Sequence, residues 1–269
     1  MGLGSTIKIE KIRSVGKRQE KDDVIPMEAL LHLYLNQQKF SVISCSPENL
    51  IELATGHLVS HGYVDDYESI DIMEICSPEC DAGDNNNLDR IMNIPAKVRT
   101  GKGFTGKPVP DYISSGCGSF DEEGIDQMPD PIISHIKIES GVILGLNKKN
   151  LEAQKHKKAL GGLHSAALFN TRGELLLVRE DIGRHNCLDK IIGHILINEM
   201  NIYDKILFSS GRISLDLVLK AVRMKFPVIV TNSSVTYNAV RLAGKLGLTV
   251  IGYARGNRFN IYSCPERII

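Results

Sequence analysis

The rhythm of apolar positions along this chain changes near its middle. Residues 6–13 and 27–45 alternate or run apolar with turn residues between them, the period-two pattern of β-strands. Pro47-Glu48-Asn49-Leu50 then opens a helix that reaches residue 60. Beyond residue 140 the two periods take turns. A helix over 147–159 leads to an apolar segment at 163–169, a turn at 170–173 and a strand at 174–179. Helices follow at 185–199, 213–225 and 235–246, separated by strands at 205–208, 228–231 and 249–253. Such alternation predicts an α/β fold, a largely parallel sheet with helices on both faces. The N-terminal part reads as a smaller, strand-rich α+β unit. A polar loop covers 81–87, and the acidic, proline-containing stretch 121–131 reads as a linker. The predicted domains are therefore 1–125 and 126–269.

In sheets of this kind ligands settle at the C-terminal strand edge. Arg184 follows one predicted strand, Ser209-Ser210-Gly211-Arg212 another, Thr231-Asn232-Ser233-Ser234 a third and Arg255-Gly256-Asn257-Arg258 the last. Arg184 and His185 stand where a strand turns into a helix, whose first N–H groups and dipole favour an anion. Three of the four segments mix glycine or small residues with arginines that can grip phosphate in a bidentate way. Any one of them alone reads more simply as a turn with a solvated ion pair. Four at one rim predict a phosphate-bearing ligand such as a nucleotide. The glycine-rich stretch 101–108 is a weaker candidate. Pro108 stands where a P-loop needs Ser or Thr, and Pro108 and Pro110 break the helix such a loop must open.

Cys117 is the sharpest chemical candidate. Glycines on both sides leave its thiol uncovered, and the surroundings read as a loop. Cys187 rides near the apolar face of a helix and reads as structural. Six cysteines without a framework spacing fit reduced thiols, and Cys76 and Cys80 lack the further ligands of a zinc site.

Composition removes several classes. The chain has 269 residues, 42% of them hydrophobic, enough for a sizeable core. Thirty-two basic residues balance thirty-two acidic ones, so the broad positive footprint of a nucleic-acid binder is missing. No apolar run approaches the length of a spanning helix, and the start lacks a signal pattern, so a cytoplasmic protein without membrane attachment is expected. Residues 1–6 fit only the loose myristoylation pattern.

Glu180-Asp181-Ile182-Gly183-Arg184-His185-Asn186-Cys187-Leu188-Asp189-Lys190 resembles the signature of the formate dehydrogenase accessory sulfurtransferases, the FdhD family. Ser114 to Gly118, Gly162 to Phe169 and Tyr253 to Phe259 resemble that family at matching places, and Gly56 to Gly62 does so more faintly. The resemblance implies a C-terminal three-layer α/β/α domain of cytidine-deaminase-like fold. It also implies a sulfur carrier: a cysteine desulfurase loads a persulfide onto Cys117, and the sulfur passes to a molybdenum bis(molybdopterin guanine dinucleotide) cofactor that serves formate dehydrogenase. Tyr253, Ala254, Arg255, Gly256, Asn257 and Arg258 would line the cofactor pocket, joined at the rim by Arg184, His185 and Arg212. A homodimer is suggested by the resemblance and by the commonness of two-fold assemblies.

The chain departs from the family where many members place a second cysteine, three residues after Cys117. Here that position is Phe120, which puts any paired-thiol step in doubt; one cysteine suffices to carry a persulfide. Zinc deaminase chemistry is not expected. No glutamate stands two residues after His164 and no Pro-Cys-x-x-Cys occurs, so no metal site is predicted. A non-catalytic chaperone for the cofactor and a general nucleotide-binding module remain as alternatives.

Overall fold

The structure, a computed structural model, describes residues 3–14, 16–76, 79–80, 92–100 and 128–269. Cys117, the 81–87 and 101–108 loops and the predicted boundary at 125/126 lie outside the described residues, as does most of the 121–131 linker.

The chain begins with a two-stranded antiparallel ribbon, β1 (Gly4–Ser14) and β2 (Lys17–Pro26). The first sheet proper has five strands. β3 (Ala29–Leu35) lies between β4 (Gln38–Cys45) and β7 (Met92–Thr100), and β5 (Ile70–Ile75) pairs with the far side of β7, as does the short β6 (Glu79–Cys80). Alternation along β3 sends Ala29, Leu31, Leu33 and Leu35 inward. The first three join Ile43, Ile94 and Ala96 beneath α1 (Leu50–Ser60), which adds Leu53 and Ala54 to the same core.

The second sheet has six strands in the order β13-β12-β11-β10-β8-β9. Its strands are β8 (His164–Asn170), β9 (Leu175–Asp181), β10 (Lys205–Ser209), β11 (Val228–Thr231), β12 (Thr249–Arg255) and β13 (Arg258–Ser263). Helices α2 (Ser140–Ala153), α3 (Lys157–Leu160), α4 (Arg184–Ile197), α5 (Leu215–Arg223) and α6 (Tyr237–Lys245) complete the unit. The inner strands β8, β10, β11 and β12 are buried on both faces, and their period of two sorts them. Phe169, Phe208, Val228, Val230 and Ile251 turn toward α2, where Ile143 and Leu146 meet them. Leu168, Leu207, Ile229 and Val250 turn toward α4, α5 and α6. Three layers result, in agreement with the predicted α/β/α class.

Two expectations change. The sheet is mixed: only β10-β11-β12 run parallel, whereas β8 pairs antiparallel with β9 and β10, and β13 antiparallel with β12. Periodicity records burial and carries no sign for direction. The predicted 147–159 helix is two helices, α2 starting seven residues earlier at Ser140 and α3 separated from it by Gln154 to His156. Three consecutive N–H groups in that break, of Lys155, His156 and Lys157, donate to the Glu180 carboxylate at 2.8, 3.0 and 2.9 Å.

The two sheets share one core, in which Leu58, Val59 and Val98 pack with α4 and α5 residues such as Leu188, Ile191 and Leu217. At its centre α1 crosses α4 with backbones almost touching. A Cβ built on Gly56 would stand 1.8 Å from the Asp189 carbonyl oxygen, and one on Gly193 would stand 1.9 Å from that of Glu52. Only glycine permits this approach from either side. Beside the crossing, Glu52 receives Arg179 Nη2 at 2.7 Å and His194 Nδ1 at 2.9 Å, closing the contact with a bidentate pair.

Candidate functional site at the strand edge

The C-terminal ends of β10, β11 and β12 open on a cavity of about 400 Å³. Ser210, Asn232, Ser233, Ser234, Tyr253 and Arg255 line it, together with Asn147 from α2. Local bonds shape each loop. Thr231 Oγ1 donates to the Gly211 carbonyl at 2.7 Å and accepts the Ser233 N–H at 3.0 Å. The Ser233 carbonyl in turn accepts the Tyr253 N–H at 2.9 Å. Asn232 Nδ2 donates to Asn147 Oδ1 at 2.9 Å, which ties α2 to the rim.

Tyr253 is held at φ +54, left-handed backbone that a bulky residue rarely adopts. It sits where the β12–β13 register shifts between Gly252 and Arg255. The kink lets the ring and the Arg255 guanidinium meet, 5.9 Å from cation to ring centroid. A strained residue, an aromatic face and an exposed guanidinium thus meet at the strand edge, chemistry that can take a flat, anionic ligand.

The predicted rim residues fall into three groups. Tyr253 and Arg255 line the cavity, and Gly256 and Asn257 form the exposed turn beyond it, with Gly256 at φ +63. Arg212 and Arg258 are exposed on neighbouring segments and Arg184 runs across Gly211, where an added Cβ would stand 2.7 Å from Arg184 Cδ. Ala254 and His185 point inward. Ala254 is 1% exposed in the core beside α2, so its side chain has no face toward the cavity. His185 is buried, its Nε2 3.4 Å from Ser214 Oγ and 3.5 Å from Asp216 Oδ2. Burial, with Lys220 and Arg184 nearby, drives its pKa down to about 3, so the ring is neutral. Burial, helped by Arg184 and Lys157, also lowers the pKa of His164, whose Nδ1 lies 3.4 Å from Ser210 Oγ.

Most of the signature stretch faces away from the rim. Asp181 Oδ2 accepts the Lys190 ammonium at 2.6 Å and the Ser46 N–H at 3.1 Å. Its Oδ1 accepts the Gly183 N–H at 2.9 Å and Asn186 Nδ2 at 2.8 Å. Asn186 Nδ2 also reaches the Ser44 carbonyl at 2.8 Å, and Asp189 accepts Ser60 Oγ at 2.8 Å. Lys190 and Asp181 are fully buried. These residues fasten the second sheet to β4 and α1. Cys187 and Cys45 are buried thiols with raised pKa values, dominated by desolvation and reinforced by Asp181, which makes them poor nucleophiles. Asn232, Ser233 and Ser234 stand at the rim where the strand-edge spacing put them, whereas Asn147 was not disclosed by spacing, because it reaches the cavity from the helix layer.

A second cavity, about 750 Å³, lies on the first sheet and is lined by Tyr34, Asn36, Glu74, Lys97 and Arg99 among others. Among the described residues no helix is long and apolar enough to cross a membrane.

The fold and cavity define a two-sheet α/β protein whose ligand-sized polar site lies at the C-terminal strand edge. The chain belongs to the FdhD/NarQ family, whose model matches residues 26–269. It is 32% identical over 263 residues to the sulfur carrier protein FdhD of Sulfolobus acidocaldarius, covering 97% of both chains. Identity with the sulfur carrier protein FdhD of Geobacillus kaustophilus is 34% over 264 residues, 97% of this chain and 95% of the other. A solved structure from Desulfotalea psychrophila, assigned as a formate dehydrogenase accessory protein, matches all of both chains with a TM-score of 0.77 and 26% identity.

Proposed function

We propose that this protein is a sulfur carrier for the maturation of a molybdenum-dependent formate dehydrogenase. The Cys117 thiolate attacks the sulfane sulfur of a cysteine desulfurase persulfide, the desulfurase thiolate leaves, and Cys117 retains the sulfur. The S–S bond of the Cys117 persulfide then breaks, Cys117 is recovered as its thiolate, and the sulfur passes to the molybdenum of a bis(molybdopterin guanine dinucleotide) cofactor held as substrate at the strand edge, a reduced metal supplying the two electrons that take sulfane sulfur to sulfide. Formate dehydrogenase receives the cofactor, and the exchange takes place in the cytoplasm. The observation that carries the binding half is the cavity of Asn, Ser, Tyr253 and Arg255 side chains, whose one guanidinium and one aromatic face suit a base and phosphate. The names of the full-length relatives support the carrier half.

Intact-mass spectrometry after incubation with a cysteine desulfurase and cysteine tests the carrier step. The wild-type chain should gain the mass of one sulfur, lost on reduction, and Cys117→Ala should gain none. No gain in either, with the desulfurase active, would refute the carrier and favour the cofactor chaperone. Arg255→Ala should still take up sulfur but bind guanosine diphosphate at least tenfold more weakly, a loss of about 1.4 kcal/mol. Equal affinity would move the ligand elsewhere.

A further inference from the structure

Two buried polar atoms with no hydrogen-bond partner among the described residues lie in one cluster behind the rim, where α1, α4 and α5 meet. His57 of α1 and His61, which caps it, are one turn apart, with ring centroids separated by 4.2 Å. His61 Nδ1 lies 2.9 Å from the His57 carbonyl oxygen. A carbonyl only accepts, so Nδ1 carries the proton and Nε2 keeps its lone pair. His57 Nδ1 faces Asp189 Oδ2 at 3.6 Å, and its Nε2 is the first of the two orphans. A nitrogen of each ring and an Asp189 oxygen lie within 4.8 Å of one another. Lys220 Nζ donates to both Asp189 oxygens at 2.8 Å. It stands 4.0 Å from Asp216 Oδ2, the second orphan.

We infer that His57, His61 and Asp189 form a binding site for a nitrogen-preferring divalent cation such as Zn²⁺, and that Lys220 moves from Asp189 to Asp216 when it fills. Two imidazoles and one carboxylate are a zinc-type donor set. The His61 ring already holds its Nδ1–H on the His57 carbonyl, the outer-shell arrangement that fixes a tautomer with Nε2 free to ligate. Lys220 is the competing cation on Asp189, and the geometry gives it somewhere to go. The Asp216 oxygen that lacks a donor is the nearest other carboxylate in its ion-pair set. One event therefore satisfies both orphans, the imidazole by metal and the carboxylate by ammonium. The histidines lie far along the chain from Asp189, so their spacing alone did not disclose the set.

The full chain, stripped of metal and titrated with Zn²⁺ against a chromogenic chelator, tests this. Wild type should bind one Zn²⁺ that His61→Gln binds at least tenfold more weakly. The Co²⁺ adduct should show ligand-field bands without thiolate charge transfer, which separates this trio from the cysteines. Lys220→Met removes the competing ammonium and should tighten Zn²⁺ binding; if that variant does not fold, the His61→Gln comparison still decides. No uptake by wild type, uptake unchanged in His61→Gln, or a thiolate band on the site lost with His61 would each overturn the assignment and leave the trio as a hydrogen-bond network around Lys220.

Discussion

Lys190→Met should destabilise the protein by about 3–5 kcal/mol, the range seen when one member of a buried ion pair is removed. The cause is the carboxylate left behind. Asp181 is completely buried, and without the ammonium it keeps only neutral donors: the Ser46 and Gly183 N–H groups and the Asn186 amide. Burial is the largest influence on Lys190 and pulls its pKa down, but the charge and hydrogen bond of Asp181, with smaller contributions from Cys45 and Cys187, bring the net shift upward, so the ammonium is charged at neutral pH. Replacing both members, with Asp181→Leu beside Lys190→Met, removes the stranded charge and should recover part of the loss. Urea denaturation of the wild type and both variants measures this. A loss below about 1 kcal/mol for the single variant would mean that the pair behaves like an exposed bridge.

Acid should weaken the fold well before carboxylates protonate. His57, His61 and His185 all have folded pKa values below 6.5, chiefly because burial penalises the imidazolium. The stability they contribute is fully present above the unfolded value near 6.5 and is lost as pH falls below it, because the unfolded chain then binds the protons first. His185, held down at about 3, adds about 1.4 kcal/mol per pH unit below pH 6, and His57 and His61 act in the same direction. Asp216 opposes one share of this: burial and Asp189 raise its pKa, so the folded state gains a proton there. Asp189 and Glu52, both lowered, reinforce the loss only below their unfolded values near 4. The urea midpoint should fall steeply between pH 7 and pH 5, and His185→Gln should flatten that slope by about one proton. An unchanged midpoint across the interval would show that these rings are hydrated and titrate normally.

The sequence made the three-layer half legible because its inner strands are buried on both faces and its helices are punctuated by turns. β13 escaped because Arg258 and Phe259 open it and were absorbed into a ligand motif. β2, Lys-Arg-Gln-Glu-Lys-Asp-Asp-Val-Ile-Pro, escaped because a ribbon exposed on both faces has no apolar alternation to display. The cavity was half legible: Arg255 stands where strand-edge reasoning put it and Tyr253 where the family resemblance did, whereas Asn147 comes from the covering layer. The polar signature illustrates a deeper limit. A carboxylate, an amide and an ammonium at a strand-to-helix turn look alike in sequence whether they meet a ligand or a distant stretch of the same chain. Ser44, Ser46 and Ser60, which decide between those cases for Asn186, Asp181, Lys190 and Asp189, lie far upstream.

The paired glycines of α1 and α4 carry a consequence for the rim. Arg184 opens α4 and Gly193 lies nine residues on, about 13 Å along a rigid rod. Because the clash at Gly193 would be with backbone, no neighbouring side chain can shrink to absorb a methyl there. The helix itself must tilt or slide, and its leading end must travel with it. Residue 193 thus works as the fulcrum of a lever whose far arm ends at the ligand edge, so a change remote from the cavity would register there as altered affinity.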